Sequence, residues 1–318
     1  MWIGLIYRIN QVEDMDIKYL FAFSIACFLT SFTHANPILT QISSAENSLI
    51  TSNNRLFISG DGQFTEAVKT NGAWQKITIP AYLKNGVKTT CDFLGITELK
   101  ERSKVYTVCA DSVYNPLSTK RLFVLDLNTT VSALHEVGQI QNASLINGVT
   151  DDEQNNIYVA DSAVLGAGKI LKLSLTSNGF TQTTLHQYLL DKPNGLKYDN
   201  GHLYATLDAI SLLGLTRVVR YDLLNNGIRN ERTIFSRISF FDDFNLVNGG
   251  IVVADFLAGK VYHVRESDGQ LLNQAIVVSP SSVSIGTDPL LNQGDLVVTG
   301  KLTGTVIQLQ NNWGLQPR

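Results

Sequence analysis

One hairpin pattern recurs along this chain of 318 residues at a nearly constant spacing, and it constrains the fold more than any other feature. Pro193-Asn194-Gly195-Leu196 leads through the turn Asp199-Asn200-Gly201 into Leu203-Tyr204-Ala205. Asn-Gly between two β-rich runs signals a tight hairpin, because both residues tolerate the left-handed backbone such turns need. Ile146-Asn147-Gly148-Val149 leads likewise into Ile157-Tyr158-Val159-Ala160-Asp161, and Phe241-Asp242-Asp243-Phe244 into Ile251-Val252-Val253-Ala254-Asp255. Asn147, Asn194 and Asp242 open these copies at steps of 47 and 48 residues. Ala45-Glu46-Asn47-Ser48 opens another, 101 residues ahead of Asn147, and a copy at Phe93-Leu94-Gly95-Ile96-Thr97 fills that gap. A sixth opens near Ser281-Ser282-Val283.

Two further short β-rich runs follow most copies, for instance Lys169–Leu173 and Thr183–Gln187 after the third. Four strands at a period of roughly 40–50 residues describe a β-propeller blade. The expected fold is therefore all-β, a six-bladed β-propeller over residues 36–318, behind an extension plus signal peptide over residues 1–35. The last copy lacks a fourth strand before the chain ends. Ile38–Ile42 is expected to supply it and clasp the ring shut, which removes an exposed sheet edge.

In a propeller the innermost strand of every blade starts at one mouth of the central channel, so equivalent positions converge there. Glu46, Asn147, Asn194 and Asp242 would bring two carboxylates and two amide carbonyls to that mouth. Such a hard-oxygen set suits a divalent cation, Ca²⁺ first, with Zn²⁺ or Mn²⁺ as other candidates. Each of the four also has a plainer reading, since Asn and Asp cap backbone groups at turns. Asp61, Asp111, Asp161 and Asp255 end second strands and read as turn-forming or channel-lining. His135, His186, His202 and His263 fall in outer strands or in a hairpin turn, which argues against a Ser-His-Asp triad.

The set Glu46, Asn147, Asn194 and Asp242 resembles that of the senescence marker protein/gluconolactonase family and of the related paraoxonases. The resemblance implies a six-bladed propeller with a divalent metal at the channel mouth, and in many members lactonase activity. It makes Asn194 a metal ligand, Asp242 both ligand and general base, Glu46 the acidic ligand of the first blade, and Asn147 a residue approaching metal or substrate. Asp243 stands where paraoxonases place a further ligand. Two departures bear on substrate. Leu94-Gly95-Ile96 replaces the paraoxonase His-Gly-Ile, and apolar Leu145-Ile146 stands where gluconolactonases carry a substrate-gripping Arg.

Met15-Asp16-Ile17-Lys18, the apolar run from Tyr19 to Phe32 and the small residues before Asn36-Pro37 describe a signal peptide. A secreted or periplasmic location follows as an expectation, with no membrane association after signal removal. In that compartment Cys91 and Cys109, at neighbouring ends of one expected hairpin, are either a disulfide or two small buried hydrophobes. Asn128-Thr129-Thr130 and Asn142-Ala143-Ser144 are glycosylation sequons. A net charge of −3 speaks against nucleic-acid binding. Two function classes remain: a metal-dependent lactone or ester hydrolase with Asp242 as base, and a non-catalytic exported propeller that binds a ligand or a protein partner.

Overall fold

The computed structural model describes residues 35–163, 168–209 and 214–318. The expected signal peptide falls outside the described residues, and the chain divides into residues 1–33 and residues 34–318. Among the described residues no helix is long and apolar enough to cross a membrane.

The described residues fold into six sheets, antiparallel apart from one short pair in the second. Each blade takes its inner strand from one of the six recurring copies: Ser48–Ile50, Asp92–Leu99, Ile146–Asp151, Asp191–Asp199, Phe241–Val247 and Pro280–Ile285. In five blades the following strands pair outward in chain order, each with its predecessor. The second blade is widened by two short strands, Ala81–Tyr82 and Lys88–Thr89, of which Ala81–Tyr82 pairs in parallel with Leu134–Ile140. In the sixth blade the outermost strand comes from the other end of the chain, where Ala35–Leu39 pairs antiparallel with Thr305–Leu309.

The clasp is therefore present, but three residues earlier than the expected Ile38–Ile42. The reason lies in Ile42, which leaves the edge and turns inward. Its N–H bonds to the Gly304 carbonyl, and its side chain packs fully buried with Leu56, Ile58 and Val306. Burying that side chain between blades is worth roughly 2 kcal/mol, more than one further edge hydrogen bond.

The core is a ring of interblade layers. Phe57, Phe93 and Phe123 join blades one and two, and Leu99, Ile146 and Val159 join blades two and three. Tyr158, Leu203 and Val219 join three and four, and Tyr204, Phe241 and Phe244 join four and five. Val252, Val283 and Val298 join five and six, and Ile38, Leu56 and Val297 complete the circuit from six to one. Cys91 and Cys109 form a disulfide with a Cα separation of 5.9 Å, lying within the first of these layers.

Candidate functional site

In five of the six blades a bulge in the inner strand sets the position that faces the mouth. Pairing with the second strand skips from Phe93 to Ile96, Ile146 to Val149, Pro193 to Leu196, Phe241 to Phe244, and Pro280 to Ser282. The residues left between these pairs are Leu94-Gly95, Asn147-Gly148, Asn194-Gly195, Asp242-Asp243 and Ser281. A bulge re-aims side chains out of the ladder, and here it does so at equivalent points around the ring. Glu46 reaches the same level from the loop before Ser48. Its N–H bonds to the Ser59 carbonyl, and its own carbonyl accepts from Thr299 Oγ1 at 2.8 Å.

Glycine brings adjacent blades together at this level. A Cβ on Gly148 would lie 2.7 Å from Leu196 N and 2.8 Å from Gly195 Cα, and one on Gly95 would lie 2.7 Å from Val149 N. In two blades a threonine hydroxyl also stitches neighbours. Thr206 Oγ1 accepts from Gly195 N–H and donates to the Asp242 carbonyl, as Thr299 Oγ1 accepts from Ser282 N–H and donates to the Glu46 carbonyl.

The four expected residues are all buried: Glu46 is 2% exposed, Asn194 3%, Asp242 4% and Asn147 9%. Asn194 and Asp242 touch directly, Asn194 Nδ2 donating to Asp242 Oδ1 at 3.0 Å. Ser281 Oγ donates to Asp242 Oδ2 at 2.6 Å. Glu46 is held by Lys301, a residue outside the inner-strand repeat, whose Nζ lies 2.6 Å from Glu46 Oε2 and whose charge also acts on Asp242. The other carboxylate oxygen, Glu46 Oε1, is buried without a hydrogen-bond partner. Asn147 occupies the equivalent position one blade before Asn194.

Electrostatics tie these groups into one unit. Burial raises the Asp242 carboxyl far above the usual carboxylate range. The Glu46 charge adds to the rise, while Lys301 and Ser281 oppose it. Burial works against the Lys301 ammonium, but Glu46, Asp242 and Asp61 outweigh it and hold the ammonium more firmly than in a free lysine. Asp61 is raised by burial and by Asp92, with Lys301 pulling the other way. Asp61 therefore belongs to the mouth cluster. By contrast, Asp161 Oδ1 accepts the Ser144, Leu145 and Ala163 N–H groups, and Asp255 Oδ1 accepts that of Ala258, in turn-forming roles.

Asp243 is turned away from this unit and pairs with Lys197 Nζ, 3.1 Å from both carboxylate oxygens. The histidines are engaged elsewhere. His135 stacks on Tyr82, His186 packs edge-on to Tyr188, His202 pairs with Asp222, and His263 stacks on Trp313.

The oxygens suit a hard cation, and the orphaned Glu46 Oε1 is the kind of atom such an ion takes. The charge set does not fit. An ion on Oε1 would stand beside the ammonium already held by Oε2 of the same carboxylate. Two unit charges 4 Å apart at an effective dielectric near 20 interact by about 4 kcal/mol, and a doubly charged ion doubles that repulsion.

No protein-family model matches the chain, and no curated protein sequence matches it. Solved structures do share its architecture. A luciferin-regenerating enzyme aligns with a TM-score of 0.66 at 14% identity, covering 89% of this chain and 97% of that one. A gluconolactonase from Xanthomonas campestris aligns at 0.58 and 15% identity, over 87% of this chain and 89% of that one. A putative glucose dehydrogenase from Thermus thermophilus aligns at 0.59 and 13% identity, over 87% and 99%. At these identities the likeness is one of fold: the chain is a six-bladed β-propeller built like those of the luciferin-regenerating and gluconolactonase enzymes.

Proposed function

We propose that the mouth formed by Glu46, Asn147, Asn194, Asp242, Ser281 and Lys301 hydrolyses a small lactone or ester, as an exported enzyme. The observation that carries this reading is Asp242. It is a carboxyl sunk at the channel end, with an amide N–H on one oxygen and a serine hydroxyl on the other. In its ionised form a carboxyl so oriented accepts a proton from a water attacking a carbonyl carbon, and the burial that raises its proton affinity makes it a stronger base. As the water oxygen bonds to that carbon, the carbonyl π pair moves to its oxygen. The Lys301 ammonium and the amide N–H groups of Asn147 and Asn194 are the donors available to that oxyanion. The carbon–oxygen bond to the leaving alcohol then breaks, and Asp242 returns the proton to it. The printed activity of the Xanthomonas neighbour, a gluconolactonase, agrees in reaction class. Without an arginine before Asn147, sugar specificity does not carry over.

The test is a panel of lactones and aryl esters, run with and without chelator on wild type and Asp242→Asn. Turnover of at least one class that is lost in the variant supports the reading, and equal rates in both refute it.

A second reading, a propeller that binds without catalysis, is favoured by the rim. Leu189, Leu257 and Leu302 are 88%, 72% and 77% exposed. All three lie in connections at the end where the inner strands begin. Such apolar side chains around a mouth suit an apolar ligand or a protein partner.

A further inference from the structure

We propose that Lys301 is the resident cation of this mouth: its ammonium stands in the place of a divalent metal and keeps one out. The argument starts from the repeat. In the blades headed by Glu46, Asn147, Asp242 and Ser281, the residue just after the second strand bonds through its backbone N–H to the carbonyl of a residue just before the inner strand. The pairs are Asp61 with Ser43, Ser162 with Leu145, Phe256 with Phe240, and Lys301 with Ser279. These four blades thus offer one equivalent position each at the mouth, filled in turn by an acid, a hydroxyl, a ring and an ammonium. Only the last of these brings a positive charge, and it brings it to the blade beside Glu46.

From there the Lys301 stem crosses the seam between the last and first blades, and Nζ meets Glu46 Oε2 at 2.6 Å. The Lys301 side chain is about one third exposed, while that of Glu46 is buried. Two carboxylates held close in a buried site need a cation or a shared proton between them, and Lys301 meets that need from within the chain. A lysine does so without supplying an empty orbital, so the site offers hydrogen bonds and charge to a substrate oxygen rather than Lewis-acid coordination.

The inference rests on reading this mouth as the working site. Its test measures metal uptake, which does not depend on turnover, so the two ideas can fail separately. Wild type, Lys301→Ala and Lys301→Met are titrated with Ca²⁺, Mn²⁺ and Zn²⁺ by calorimetry, and thermal unfolding is followed with and without each ion. The methionine variant keeps the packing of the stem should the alanine variant fold poorly. Wild type is expected to show no saturable uptake at this site. At least one folded lysine variant should bind one ion per chain, at least about tenfold more tightly than wild type, and Glu46→Gln in that background should abolish the gain. Uptake by wild type that Glu46→Gln removes would overturn the proposal, as would folded lysine variants that gain no binding.

Discussion

Lys301 Nζ lies 2.6 Å from Glu46 Oε2, and with this contact the end of the last blade grips the loop that opens the first. The same seam is sewn by hydroxyls. Ser48 N–H donates to Ser282 Oγ, Ser284 Oγ donates to the Ser48 carbonyl, and Thr299 Oγ1 donates to the Glu46 carbonyl. The candidate site is therefore built on the closure of the ring. An open ring would part Glu46 from the Lys301 ammonium that holds it, so this half of the site assembles only as the ring closes.

Asp242→Asn should separate chemistry from structure. The amide oxygen can still accept from Asn194 Nδ2, and Ser281 can turn to let its oxygen accept from the new amide N–H. The variant is expected to stay folded with a melting temperature near that of wild type, while hydrolysis falls about 10²-fold or more. Ser281→Ala should cost only about 1 kcal/mol of stability and leave Asp242 as base. Paired rate and melting measurements on the two variants check this. An active Asp242→Asn protein would refute the assigned role.

Asp151 gives a pH-dependent stability. It lies at the far end of its inner strand, where Thr97 Oγ1 donates to Oδ2 at 2.7 Å and Glu153 N–H donates to Oδ1. Burial pushes its carboxyl up to about 6 despite these donors. The folded state thus holds the proton more tightly than the unfolded chain. The contribution is complete below about pH 4, declines as pH rises towards 6, and is lost above that. The span from 3.8 to about 6 corresponds to at most about 3 kcal/mol. Denaturant melts of wild type and Asp151→Asn from pH 4 to 8 should diverge in favour of the variant as pH rises. A constant difference would show that the carboxyl is not buried in this way.

The disulfide between Cys91 and Cys109 spans 18 residues of sequence. Closing a loop of about that length restricts the unfolded chain by about 3 kcal/mol. Cys91→Ala with Cys109→Ala should lower stability by that order while leaving hydrolysis of any accepted ester nearly unchanged, since both residues sit in the layer between blades one and two. Equal denaturation midpoints for the two proteins would contradict it.

The blade count was legible because Asn147, Asn194 and Asp242 recur at a fixed step, and a closed ring gives that step a structural meaning. Lys301 was not legible by the same route, because it carries no oxygen and does not head an inner strand. Its signal lay one strand later. Val298-Thr299-Gly300-Lys301 repeats Ile58-Ser59-Gly60-Asp61 with the final charge reversed. Ser281 was visible as the opening of the sixth copy, but a serine does not announce a partner for a carboxylate. The position of the clasp depended on Ile42 being worth more between blades than at the edge, which is a tertiary energy that local pattern does not carry. The bulges were hidden for a related reason. They show as a skipped pair in the ladder, whereas the sequence shows only a polar residue in a strand.

Gly148→Ala tests whether close packing of bulges holds the site together. No special backbone angle is needed here; the constraint is the next blade. The added methyl would run into the Asn194 carbonyl and stand 2.7 Å from Leu196 N and 2.8 Å from Gly195 Cα. All three are backbone atoms, which cannot rotate away as a side-chain tip can, so the third and fourth blades must separate. Overpacking of this kind costs about 1–3 kcal/mol, and more where backbone must shift. Because the displaced segment carries Asn194, its hydrogen bond to Asp242 should lengthen, and activity should fall together with stability. Gly249→Ala is the control. Gly249 has a φ of +71° with nothing within 4 Å of the added carbon, so the variant pays only local backbone strain of about 1–2 kcal/mol in an exposed turn. Melting temperature and hydrolysis are measured for both. The expected outcome is a loss of activity in Gly148→Ala beyond what its unfolded fraction explains, with none in Gly249→Ala. Full specific activity in a folded Gly148→Ala protein would show that the bulges pack independently of the site.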